Sequence, residues 1–250
     1  MKIALVTGGS RGLGKSMALH IACKGNGVVL TYNSKKADAQ DVVKQIEQIG
    51  PKAAALALDV SDSKSFDGFV EELREVLQAK WKRDDFDFLV NNAGVGIYSS
   101  FAQTSEKQFD ELMIIHFKGP FFLTQKLLPL IKDGGRIVNI STGLARFTLP
   151  GYSAYAAMKG GIEVLTRYMA KELGARKITV NVVAPGPIES DFGGGVVRDN
   201  KEVNQFFASQ TALGRVGLPD DIGGVVASLL ADDNHWITGQ RIEASGGTFL

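Results

Sequence analysis

A tyrosine and a lysine stand four residues apart at Tyr155 and Lys159, the spacing that places two side chains on one helical face within reach of one ligand. A free phenol has a pKa of about 10, so a nearby cation is needed before it exchanges protons readily with an oxygen at neutral pH. Lys159 is the expected cation. The same spacing also fits a core ring beside a solvated amine, so the pair carries weight only if other elements bring a reaction partner to it.

The segment that could do so lies at the other end of the chain. An apolar run, Ile3 to Val6, is followed by Thr7-Gly8-Gly9-Ser10-Arg11-Gly12-Leu13-Gly14, and then by the helical pattern of Met17, Ala18, Leu19, Ile21 and Ala22. Glycines at 8, 12 and 14 permit a tight turn, close approach of backbone to ligand, and helix-on-strand packing. An open helix N-terminus behind them offers amide donors to a pyrophosphate. The spacing departs from G-x-G-x-x-G, so position directly after a strand carries the inference of a nucleotide-binding turn.

The remaining elements alternate. Strands are expected at 27–32, 53–58, 86–90, 136–140, 178–183 and 241–244, with helices at 37–49, 63–77, 105–131 and through the tyrosine. This predicts an α/β fold: a doubly wound parallel sheet of about seven strands with helices on both faces. Residues 1–250 are expected to form a single domain, because 44% hydrophobic content over this length suffices for one large core. A net charge of +1 gives no footprint for nucleic acid or an anionic membrane. No run approaches the roughly eighteen apolar residues of a membrane span. Cys23 alone excludes an intrachain disulfide, the start runs into a strand without a leader-like segment, and a cytoplasmic location is expected. His20, His116 and His235 show no metal-ligand spacing, and no metal is expected.

Taken in order, these motifs resemble the short-chain dehydrogenase/reductase family over essentially the whole chain. Thr7 to Gly14 resembles its cofactor turn, Asp59-Val60 its adenine contact, Asn91-Asn92-Ala93-Gly94 its sheet-stabilising motif, and Tyr155 to Lys159 its active-site pair. Pro185-Gly186-Pro187-Ile188 follows, and the C-terminal run from Arg215 through Gly246-Gly247 is similar to the subclass containing 3-oxoacyl-carrier-protein reductases. The resemblance implies a Rossmann-type fold, nicotinamide binding, and a homotetramer joined through the long helices and the C-terminal segment, with a dimer as the smaller option. It implies that Gly8, Ser10, Arg11, Gly12, Leu13, Gly14, Asp59, Val60, Asn91, Ala93 and Gly94 line the cofactor groove. Pro185, Gly186, Ile188 and Ser190 would cover the nicotinamide and pyrophosphate, and Tyr155 and Lys159 would reach the ribose.

Two positions depart from the family pattern. Thirteen residues before the tyrosine, where a serine is usual, stands Thr142, with Ser141 just ahead; either hydroxyl could hold a carbonyl oxygen. His116 stands where an asparagine usually helps hold a water that links the lysine to solvent. An imidazole could serve that relay and would add a titration at about pH 6.5; it could equally be a packed helix residue.

After the second strand come Asn33-Ser34-Lys35-Lys36, with no acid to accept bonds from a ribose 2′-hydroxyl. Those residues and Arg11 suit a 2′-phosphate, so NADP(H) is the expected cofactor. The expected reaction is reduction of a ketone or aldehyde, with Thr142, Tyr155, Lys159 and His116 as the catalytic set. The alternatives are a 3-oxoacyl-carrier-protein reductase and a dinucleotide-binding sensor or scaffold with little turnover. Arg176 resembles a carrier-docking residue, but Asp133 falls where another cation would be expected. The segment from Asp191 to about Leu213, with three adjacent glycines and Phe206-Phe207, reads as a mobile lid with apolar contacts, the alternative being a plain surface excursion.

Overall fold

The computed structural model describes residues 1–250. Seven parallel strands form one sheet in the order β3-β2-β1-β4-β5-β6-β7: β1 Ile3–Val6, β2 Gly27–Tyr32, β3 Ala53–Ala57, β4 Phe86–Asn91, β5 Ile131–Ile140, β6 Thr179–Pro185 and β7 Arg241–Ala244. The order reverses between β1 and β4, so their carboxyl ends diverge and open a crevice there.

The strands read as unbroken apolar runs because both faces are covered. In β1, Ala4 and Val6 enter one core with helices α1 (Gly12–Cys23), α2 (Lys36–Ile49) and, from late in the chain, Ile222 and Val226. Ile3 and Leu5 enter the other, with Phe66, Phe69, Leu73 and Leu77 of α3 (Phe66–Trp81) and with Leu123 and Leu127. All four β1 side chains are fully buried. Truncating Leu5 to Ala should therefore cost about 2–5 kcal/mol.

The long helix expected over 105–131 is broken. It consists of α4 (Glu106–Met113), a wide π-type turn (Ile114–Lys118) and α5 (Gly119–Leu127), and β5 has begun by Ile131. Pro120 has no N–H to donate back to His116, and Gly119 is pressed against Val60, whose carbonyl oxygen would lie 2.4 Å from a Cβ there. Chain crossing and proline together widen the turn, and this wide turn carries His116. Within β5, pairing with β4 begins at Ile131 and resumes at Arg136 after an excursion through Gly134 (φ +79°).

Helix α6 (Ser153–Leu173) carries Tyr155 and Lys159 to the crevice. The segment after β6 is more ordered than a plain loop, holding a short 3-10 turn (Phe192–Gly195), α7 (Val196–Asp199) and α8 (Lys201–Ser209). Helix α9 (Pro219–Leu229) packs against α1 and leads to β7. No helix is long and apolar enough to cross a membrane.

Candidate active site

A cleft of about 1140 Å³ runs along the carboxyl ends of the strands. Its volume exceeds the roughly 300–1,000 Å³ of most single-ligand pockets, leaving room for two molecules side by side.

On one side the cleft is built from backbone. Gly8 (φ +65°) and Gly12 (φ +53°) occupy the left-handed region, and a Cβ at Gly14 would lie 2.1 Å from the Gly8 oxygen. Thr7 Oγ1 accepts from the Asn92 and Ala93 amides at 2.9 and 3.0 Å, and Asn92 Nδ2 donates to the carbonyls of Thr7 (2.9 Å) and Gly8 (3.2 Å). These bonds weld the glycine turn to the end of β4. Arg11, in extended geometry, precedes α1 without capping it by its side chain, so the first-turn amides face the cleft free of a side-chain acceptor. A cradle that any side chain would fill, next to an open helix N-terminus, fits a dinucleotide pyrophosphate.

Ser10, Arg11, Leu13, Asn33, Ser34, Lys35, Asp59, Val60, Ala93 and Gly94 all line this cleft with the glycines, as do Pro185, Gly186, Ile188 and Ser190. Asn91 does not. Its amide donates to Thr124 Oγ1 and Asn139 Oδ1, both at 2.9 Å, within the buried layer between β4, α5 and β5, because side chains alternate along a strand and the odd position here faces inward. Asn92 is the cleft residue of that pair; it and Thr7 stand within the motifs read from the sequence, but neither was singled out as a groove residue. Arg11 pairs with Asp191 of the lid segment at 3.5 Å, and Asp59 accepts from the amide and hydroxyl of Ser61.

On the other side the cleft is built from buried polar side chains. Tyr155 and Lys159 are 6% and 5% exposed. Burial pushes the phenol well above its ordinary pKa, the Thr142 hydroxyl pulls it down, and Tyr152 pushes it up. Lys159 is brought to about 7 by burial alone, and its ammonium donates to the Ile140 carbonyl at 2.7 Å. It lies 5.8 Å from the Tyr155 ring centroid, so here the downward pull on the phenol comes from Thr142 rather than, as expected, from the lysine.

The two hydroxyls after β5 separate cleanly. Ser141 Oγ donates to Glu163 Oε1 at 2.7 Å. Thr142 Oγ1 accepts from the Leu144 amide at 3.3 Å and lies within hydrogen-bonding reach of the Tyr155 phenol, whose pKa it lowers, so this hydroxyl and not that of Ser141 is directed to the tyrosine in the cleft.

His116 is 1% exposed and stands edge-on to the Tyr155 ring, centroids 5.1 Å apart. Its Nε2 donates to the Val95 carbonyl at 2.7 Å, while Nδ1 is buried with no partner in the chain. Burial first, and the Lys159 charge second, lower its pKa to about 3, so it is neutral near pH 7 and adds no titration there. His20 instead bonds the Ser16 carbonyl on α1, and His235 is exposed.

Beside the tyrosine sits Phe192, ring centroids 5.5 Å apart, at the start of the 3-10 turn after β6. Gly193, Gly194 and Gly195 follow, all with positive φ, and turn the chain into α7 and α8, from which Phe206 and Phe207 reach the cleft. Tyr98 and Tyr152, 5.4 Å apart in a T-shaped contact, also line the cleft.

Parallel sheet, glycine cradle and tyrosine-lysine helix together define a dinucleotide-dependent oxidoreductase site, and comparison with known proteins gives the same class. A family model described as Enoyl-(Acyl carrier protein) reductase matches residues 8–248. An uncharacterized oxidoreductase of Methylorubrum extorquens is 38% identical over 248 residues, covering 98% of this chain and 97% of its own. The trihydroxynaphthalene reductase of Colletotrichum orbiculare is 34% identical, covering 100% and 90%. Among solved structures, a promiscuous reductase catalysing keto-reduction at C1 in lugdunomycin biosynthesis superposes with a TM-score of 0.94 at 38% identity, covering 100% and 98%. An angucycline C-6 ketoreductase with bound NADP gives 0.94 at 36%, covering 99% and 95%. The chain belongs to the short-chain dehydrogenase/reductase family.

Proposed function

We propose that the protein is an NADPH-dependent ketoreductase that reduces a ketone or aldehyde to the alcohol. The observation that carries this reading is the convergence of a Thr142 hydroxyl beside the Tyr155 phenol, a phenol that stays protonated, and a buried Lys159 on the wall of a cleft whose other end is a glycine cradle. The glycine turn, Asn92 and the 185–190 segment would hold the dinucleotide, and Arg11, Ser34 and Lys35 its 2′-phosphate; the absence of an acid at 33–36 and the NADP in the ketoreductase neighbour support the phosphorylated form. When bound, that cofactor supplies hydride to the carbonyl carbon.

The protein's own work is then proton placement. Thr142 donates to the carbonyl oxygen and orients it; Tyr155 passes its proton to that oxygen as negative charge develops. Lys159, its pKa lowered by burial, would bond the nicotinamide ribose and return a proton to the tyrosinate left behind, and the neutral His116 carries a buried, unpaired Nδ1 that can order a water for reprotonation. Phe192 and the lid helices keep bulk water from the reacting atoms.

The wall formed by Tyr98, Tyr152, Phe147, Phe192 and Phe206 suits a flat, apolar substrate, and the hydroxynaphthalene and angucycline relatives support a fused-ring aromatic ketone. Docking of an acyl carrier fits less well, because Arg176 is committed to Asp133 at 2.7 Å and to the Leu128 carbonyl at 2.9 Å. A homotetramer is proposed as well, supported by exposed Phe109, Phe121, Phe122, Val164 and Tyr168 on α4, α5 and α6.

The test is NADPH oxidation over a panel of aromatic ketones, quinones, β-ketoesters and a carrier-bound 3-oxoacyl chain. Turnover of the aromatic ketones is expected; turnover confined to the carrier substrate would replace the proposal, and cofactor binding without any oxidation would favour a sensor.

A further inference from the structure

Behind the Tyr155 side of the cleft, and outside its lining, lies a chain of four charged side chains: Glu163 of α6, Arg241 and Glu243 of β7, and Arg146 of the loop after β5. Arg241 is its junction. Nε donates to Glu163 Oε1 at 2.8 Å, Nη1 to Glu243 Oε2 at 2.8 Å, and Nη2 to the Thr142 carbonyl at 3.3 Å. Glu163 also accepts from Ser141 Oγ, and it lies one helical turn beyond Lys159. Arg146 grips both oxygens of Glu243 at 2.7 Å.

Three separate pieces of chain meet at this guanidinium. The loop that bears Thr142 is held by its carbonyl, the helix that bears Tyr155 and Lys159 by Glu163, and β7 by Glu243. The side chains of Glu163, Glu243 and Arg241 are 14%, 19% and 23% exposed, so the pairs are better shielded than surface ion pairs, which contribute little. Burial lowers and the two carboxylates raise the Arg241 pKa, with a net rise; Glu243 is held at about 2, chiefly by Arg146. A planar fork with five donors can serve all three acceptors at once, whereas an ammonium is a point charge with no fixed fork.

We infer that Arg241 is a positioning residue for Thr142: bonded to Glu163 and Glu243, it fixes the backbone of residues 141–142 relative to α6, and so sets the distance between the Thr142 hydroxyl and the Tyr155 phenol. The kinetic consequence rests on the ketoreductase reading, since a misplacement of about 1 Å at a reacting group can cost about a hundredfold in rate.

Two measurements on the full-length protein test it. In protein labelled at threonine methyls, Arg241→Met and Arg241→Lys should shift or broaden the Thr142 signal and leave that of Thr31, buried in β2, unchanged; Thr31 thereby reports that the variant is folded. Should Arg241→Met fail to fold, Glu163→Gln, which keeps an acceptor for Ser141 but removes the ion pair, should move the Thr142 signal in the same way. A Thr142 signal unmoved in folded variants overturns the assignment. Kinetically, Arg241→Met should lower kcat by about tenfold to a hundredfold with KM nearly constant, and should cost nothing further in a Thr142→Ala background, because a residue acting through Thr142 is not additive with it. Equal losses in both backgrounds would make Arg241 merely structural. A wild-type enzyme with no turnover would sink the ketoreductase reading, and the methyl spectra would still decide the role of Arg241.

Discussion

The two sides of the cleft are made in different ways. The side toward β1 and β2 is a backbone device: glycines in left-handed geometry, open helix amides, and two pins, Thr7 and Asn92, that join neighbouring strand ends. Its charged groups, Arg11 and Lys35, stand exposed at the rim. The side toward β5, β6 and β7 is a side-chain device, in which Tyr155, Lys159 and His116 are buried and shifted from their ordinary pKa values. Binding a large, constant ligand needs shape and donors, which backbone supplies rigidly; moving a proton needs groups displaced from their solution pKa, which only burial and neighbours supply.

Breaking each side should therefore fail differently. The largest effect is expected of Tyr155→Phe, which should lower kcat by about a thousandfold or more while dinucleotide affinity, followed by fluorescence titration, stays nearly constant. If turnover survives, the proton donor lies elsewhere. Gly14→Ala should do the converse, weakening dinucleotide binding by about tenfold or more, because its methyl meets the Gly8 carbonyl and overpacking costs about 1–3 kcal/mol. Retained affinity would show that the turn yields and that its shape is not the determinant.

Charge at the rim should matter less. Arg11→Ala should reduce the preference for NADPH over NADH by about tenfold, the value of a hydrogen bond to a charged group. Asp191→Asn, which releases Arg11 from its exposed partner, should raise that preference by only about twofold. A wild-type preference for NADH would remove the phosphate role from Arg11 and Lys35 together.

The smallest signal sharpens the buried side. The unfolded chain protonates His116 below about pH 6.5, whereas the folded chain does so only below about 3. Between those values the unfolded state binds more protons, so this contribution to stability is lost as pH falls. His116→Asn should flatten the acid side of a Tm-against-pH profile by a few degrees for each pH unit below about 6.5, since each unit is worth about 1.4 kcal/mol and each kcal/mol about 2–4 °C. Parallel profiles would mean that the imidazole already meets solvent.

What could be read in advance follows the same division. The glycine turn, the seven strands and the tyrosine-lysine pair lie in contiguous segments whose periodicity and turn chemistry are local. Other features depend on partners far along the chain. The π turn at His116 arises where Gly119 meets Val60, and the turning away of Asn91 reflects Thr124 and Asn139. Ser141 is engaged by Glu163, whose own partner Arg241 is 78 residues away. The excursion to Gly134 and the two short helices after β6 were likewise illegible, because neither segment is long enough to show a strong period.

The linear order of residues thus determined by itself the family, the doubly wound sheet, the nucleotide turn and the tyrosine-lysine pair proposed as the proton-handling group, since each rests on spacing within one turn or one strand-turn-helix unit. Only the tertiary structure decided which hydroxyl stands beside the tyrosine, which asparagine faces the cleft, what pulls on the tyrosine pKa, and that a guanidinium from the last strand bonds the Thr142 carbonyl. Those outcomes depend on burial and on partners that folding alone brings together, and no local pattern encodes the dielectric or the neighbours a side chain will meet.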